Sequence, residues 1–69
     1  MIKLLMIDKE TGIYIFIADT KSDVGATDQD IITDAGLTTE TSLPMGSIIL
    51  TTSFEKAMID SEGNVVWEA

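Results

Sequence analysis

Five aspartates, Asp19, Asp23, Asp28, Asp30 and Asp34, concentrate carboxylate within one short stretch of this 69-residue chain. Asp28 and Asp30 have the alternate spacing that oxygen-ligand calcium loops use, because consecutive ligands there must point at one ion. A loop opening at Asp28 would need an oxygen ligand two residues after Asp30 and a bidentate glutamate at its end. Those positions hold Ile32 and Thr39. Helix capping and a solvated acidic loop account for the same aspartates without a metal, so no metal and no cofactor is expected.

The remaining chemistry is limited by what the chain lacks. It has no His and no Cys. Zinc sites built on those ligands, a cysteine nucleophile and a Ser-His-Asp arrangement are therefore excluded. Serines and threonines are frequent, but a hydroxyl without a base is a poor nucleophile. Gly25, Gly36 and Gly46 stand far apart and none precedes Lys-Ser or Lys-Thr, so no phosphate-cradling loop is present. Paired carboxylates could do acid and base work only in a cleft that drives their pKa values apart, and so short a chain has little material for one. The expectation is a protein that is not an enzyme.

Twelve acidic against four basic side chains give a net charge of −8, which repels nucleic acid and anionic membranes and permits basic partners. An acidic surface at Asp23, Asp28, Asp30 and Asp34 raises one functional reading: a DNA-mimic-like inhibitor occupying the basic groove of a host nuclease or regulator. Asp8, Glu10, Asp60 and Glu62 stand instead in turns, where charge serves solubility. Lys3, Lys9, Lys21 and Lys56 interrupt the field. A solvated acidic surface is the preferred reading of these residues.

The elements that must position these side chains are mainly β, in a small α+β arrangement. With 45% apolar residues the chain lies outside the disordered class, and its length sets a ceiling of one domain, residues 1–69. Ile2 to Ile7 and Ile13 to Ala18 are aliphatic runs of strand length separated by a turn ending in Gly12, which predicts an N-terminal β-hairpin. Thr27 followed by Asp28, Gln29 and Asp30 predicts a capped helix near 28–35, stopped by Gly36 and Leu37. Ser47 to Thr52, Lys56 to Ile59 and Val65 to Trp67 predict a C-terminal three-stranded β-meander.

The second strand is apolar at every position, which is the pattern of a strand buried on both faces. So short a chain can hardly cover both. Either Tyr14 and Phe16 lie on a wetter face as ordinary exposed apolar surface, or this strand meets another chain. Ile13, Tyr14, Ile15, Phe16 and Ile17 are accordingly interface candidates. Trp67 joins them, although closing the core is the preferred role for so large an apolar body. The longest apolar run, Ile13 to Ala18, is far below the ~20 residues of a membrane span, and no segment resembles a signal peptide.

Leu43, Pro44, Met45, Gly46 and Ser47, leading into a strand, a turn at Asp60, Ser61, Glu62 and Gly63, and then Trp67, resemble a pattern of small tailed-phage virion proteins. In those, a Pro-x-Gly-Ser segment opens a β-hairpin whose turn is Asp-Ser-x-Gly and whose end carries Trp. Trp67 stands four residues after Gly63, farther than that pattern places it. The resemblance implies a head decoration, fibre or neck component, non-enzymatic and located in a virion or the host cytoplasm. It would act as a homo-oligomer with other particle proteins as partners and with no direct contact to nucleic acid or membrane. A thin core completed by neighbouring chains, and edge strands able to extend a neighbour's sheet, agree with that implication.

Overall fold

Both N-terminal apolar runs form the expected hairpin in the computed structural model, which describes residues 1–68. β1 (Ile2–Ile7) and β2 (Tyr14–Ala18) run antiparallel. The Asp8 N–H donates to the Ile13 carbonyl at 2.8 Å and the Gly12 N–H to the Asp8 carbonyl at 2.7 Å. Gly12 closes this turn at a φ of 76°, which a side chain with a Cβ resists.

The middle of the chain contains a short 3-10 turn, Lys21–Asp23, and then the expected helix, α1 (Asp28–Asp34). Thr27 Oγ1 accepts from the Asp30 N–H at 3.4 Å, and Asp28 and Asp30 place negative charge at the positive helix end. At the other end Gly36 adopts a φ of 76° and the Leu37 N–H donates to the Ile32 carbonyl at 3.0 Å. Leu37 then packs against the core, which completes a hydrophobic helix stop.

β3 (Ile48–Thr51), β4 (Lys56–Ile59) and β5 (Val65–Trp67) form the expected antiparallel meander. The motif that opens it is a turn: the Ser47 N–H donates to the Pro44 carbonyl at 3.1 Å around Gly46 at a φ of 93°. Ser47 is fully buried, and its Oγ donates to the Pro44 carbonyl at 2.8 Å and accepts from the Tyr14 N–H at 3.3 Å. A buried hydroxyl satisfied on both sides ties the start of β3 to the start of β2.

The two meander turns have the same construction. In one, the Asp60 N–H donates to Asn64, the Gly63 N–H to the Asp60 carbonyl, and Asp60 Oδ1 accepts from Glu62 and Asn64. In the other, the Thr51 N–H donates to Glu55, the Phe54 N–H to the Thr51 carbonyl, and Thr51 Oγ1 accepts from Ser53 and Glu55. Both turns need a left-handed residue at the same place. One uses Gly63 at a φ of 81°, and the other holds Phe54 at 66° with its side chain 97% exposed. Left-handed backbone at a residue with a Cβ costs about 1–2 kcal/mol. Phe54→Gly is therefore expected to raise the stability of the monomer by about 1 kcal/mol, since no buried area is lost; a lower urea midpoint at low protein concentration would contradict this.

All five strands belong to one sheet in the order β1-β2-β3-β4-β5, with β2 and β3 parallel. Residues 19–47 are thus a crossover carrying α1, which places the helix over one face. Register aligns Leu4, Phe16, Ile49, Ala57 and Trp67 as one inner row across all five strands. Ile31 and Ile32 of α1 complete the core with Ile2, Ala18, Leu43 and Ile59. Phe16 therefore corrects its assignment as an interface candidate: it is fully buried within its own chain. Strand alternation sends Tyr14, Phe16 and Ala18 toward the helix and Ile15 and Ile17 the other way, so the wetter face is the opposite one from that expected.

Candidate functional site

The sheet face opposite α1 carries a second row set by the same register: Met6, Ile15, Ile48, Met58 and Val66, one residue from each strand. β1 adds Leu5, because the register shifts between Leu4 and Met6 and an irregularity of this kind sets two successive residues opposite one. Ile17 and Leu50 extend the row downward. Leu5, Met6, Met58 and Val66 are between 39% and 57% exposed, and Ile15, Ile17, Ile48 and Leu50 are partly buried among them. These eight side chains form one contiguous apolar surface, the kind that marks an interaction site rather than scattered exposed residues.

Charge on this face is confined to its lower end. Lys3 pairs with Ile17, and Lys56 with Leu50, so the two lysines flank the row from β1 and from β4. Lys56 Nζ lies 3.6 Å from Glu68 Oε1. The other carboxylates of the chain lie in turns, on the helix or in the crossover. Asp8 and Glu10, and Asp60 and Glu62, stand in the two turns at the upper end.

Of the interface candidates, Ile15 and Ile17 belong to this surface. Ile13 lies just before β2, in the connection from β1. Tyr14 stacks on Phe16 with ring centroids 6.3 Å apart, on the core side. Trp67 ends the inner row, half-buried, with Lys21 Nζ 5.1 Å from its ring centroid. A cation over an aromatic face is an attractive cover, so Trp67 is engaged by its own chain. The C-terminal meander, expected from the sequence to share in self-association, contributes Ile48, Met58 and Val66; Leu5 and Met6 join them as a face that exists only once β2 and β3 pair.

The acidic residues are distributed rather than gathered. Asp30 Oδ2 accepts from the Ala26 N–H at 3.2 Å and Asp28 Oδ1 from the Gln29 N–H at 2.9 Å. Asp34 sits at the C-terminal end of α1. Among the described residues no three acidic side chains converge into a group that could hold a metal ion. A shallow hollow of about 190 Å³ at the lower end is lined by Met1, Lys3, Ile17, Ala18, Asp19 and Thr52. No helix is long and apolar enough to cross a membrane among the described residues.

Asp23 has the most engaged carboxylate of the acidic set. Its Oδ2 accepts from the Met1 amine at 2.9 Å and from the Thr20 N–H at 3.1 Å, and Asp19 Oδ2 lies 3.2 Å from the same amine. The hydrogen bond from the amine, followed by that from Thr20, holds Asp23 below the usual carboxylate range. Hydrogen bonds to Asp23 and Asp19 raise the amine above its ordinary value. A lowered carboxylate contributes stability above its unfolded pKa and loses it as pH falls through the folded one. A raised amine contributes below its unfolded pKa and loses it as pH rises through the folded one. Asp23→Asn should thus lower the urea midpoint most near neutral pH, with the difference from the parent chain vanishing in acid and in alkali. A difference that stays constant with pH would contradict the ion pair.

Comparison of the chain with protein-family models, with characterised proteins and with solved structures returned no match. The geometry defines a small mixed β-sheet covered by a helix on one face and apolar on the other.

Proposed function

We propose that this chain is a non-enzymatic structural protein that acts by self-association, as a component of a tailed-phage or phage-like particle. The observation that carries the reading is the uncovered outer sheet face, apolar on all five strands, on a chain otherwise dense in carboxylates. A net charge of −8 keeps copies apart wherever acid is displayed, and the sheet face is where the display stops. Its two methionines, Met6 and Met58, are exposed, unbranched and able to adapt to an opposing surface. The particle setting comes from the Pro44 to Ser47 and Asp60 to Trp67 resemblance, whose residues form the turn that opens the meander and the turn between β4 and β5.

Solution mass measured by light scattering across a dilution series, at low and high salt, tests the reading. Apolar burial is not screened, so the assembly should persist at high salt and dissociate on dilution. Met58→Asp, which sets a charge in the middle of the row, should give a monomer with unchanged circular dichroism. A parent chain that remains monomeric at high concentration would overturn self-association altogether.

A further inference from the structure

We infer that the outer sheet face docks on the same face of a second copy, with strands antiparallel and the two-fold axis lying across them, and that Phe54 reaches the far end of the partner. This rests on the self-association reading and adds the occupant and its orientation. Two like faces can meet about a two-fold axis in two simple ways. An axis along the strands lays lower end on lower end with the strand order reversed, so Lys3 and Lys56 meet the ends of β5 and β2, whose carboxylates Glu68 and Asp19 are already engaged by Lys56 and the Met1 amine. An axis across the strands lays lower end on upper end, β1 on β1 and β4 on β4. Lys3 then approaches the 8–13 turn with Asp8 and Glu10, and Lys56 approaches the 60–64 turn with Asp60 and Glu62. Only the second orientation gives each lysine two turn carboxylates of the partner, and this opposite charge selects it.

Phe54 supplies an independent observation. The chain builds the same turn twice, and the turn itself asks for glycine at the position Phe54 occupies. Phe54 is nevertheless 97% exposed and in left-handed backbone, so its own chain gains nothing from it. Antiparallel docking carries the 52–55 turn over the partner's upper end, where Met45 is 67% exposed. An aromatic ring against a thioether is a favourable pair, and both residues are left bare by their own chain.

Sedimentation equilibrium on the full chain tests the inference, with urea unfolding at low concentration confirming that each variant folds. Lys3→Glu should weaken the dimer by at least about tenfold, and adding Glu10→Lys to the same chain should restore most of that loss. Phe54→Gly should also weaken it while the monomer becomes no less stable. If Met58→Asp yields a folded monomer but Lys3→Glu has no effect, the face is right and the orientation is overturned. If Met58→Asp folds and still self-associates, the face is overturned and assembly through another surface, such as the open β1 edge, remains. A parent chain monomeric at every concentration overturns both this docking and the assembly reading.

Discussion

Replacing Phe16 with Ala should lower the stability of the chain by about 3–5 kcal/mol and shift its urea midpoint far more than any change on the outer face. Phe16 stands at the second strand of the inner row, fully buried between Leu4 and Ile49 and stacked on Tyr14. Truncating a buried Phe to Ala costs about 3–5 kcal/mol, because transfer free energy is lost and the cavity collapses only in part. A chain of this size has about 3–10 kcal/mol of total stability, so this one change removes a large share of it. Ile15→Ser and Ile17→Ser, on the adjoining positions of the same strand but on the outer face, should each cost the monomer only about 1 kcal/mol. Far-ultraviolet circular dichroism with urea titration at low concentration reads both. A Phe16→Ala chain as stable as Ile17→Ser would contradict the division of β2 between a core face and an open face.

Gly25→Ala should lower stability by about 2–3 kcal/mol although it adds only one methyl group. A Cβ at Gly25 would stand 2.3 Å from the Asp30 Cβ and 2.7 Å from its Oδ2. Since the Cβ of Asp30 is fixed to the helix backbone, the clash is relieved only if the first turn of α1 moves. The segment that would move with it covers the β5 edge: the Val65 N–H donates to Ala26 at 2.9 Å, the Asp28 N–H to Gly63 at 2.8 Å, and Thr27 bridges Asn64. Replacing Gly by Ala at an unstrained position stabilises by about 0.4–1 kcal/mol through the unfolded chain, so the two effects have opposite signs. Urea midpoints decide between them, and hydrogen exchange at Val65 locates the damage. A Gly25→Ala chain of equal or greater stability would show that the 25–28 segment does not hold the edge.

That second edge matters for the proposed assembly. With β5 partly covered and β1 open but interrupted by its register shift, edge-to-edge growth of the sheet is disfavoured. The proposed docking therefore uses the outer face rather than the strand edges.

Local signals in the chain determined the elements. Gly12, Gly36, Gly46 and Gly63 all take positive φ at the ends of turns or the helix, and each was legible because only glycine enters that region freely. The Thr27 cap and the Gly36-Leu37 stop bounded α1 to within a residue. Alternation also contained both faces of β2, but a continuous apolar run does not say which set of residues faces the helix. Tertiary structure decided that, and it turned Phe16 inward and Ile15 and Ile17 outward. The parallel pairing of β2 with β3 joins residues more than thirty positions apart, and no local pattern records it. Only that pairing merges the hairpin and the meander into one sheet, and only one sheet lines up Met6, Ile15, Ile48, Met58 and Val66. Turn and cap chemistry is read over a few residues, whereas a surface assembled from five strands exists only after long-range register has been set.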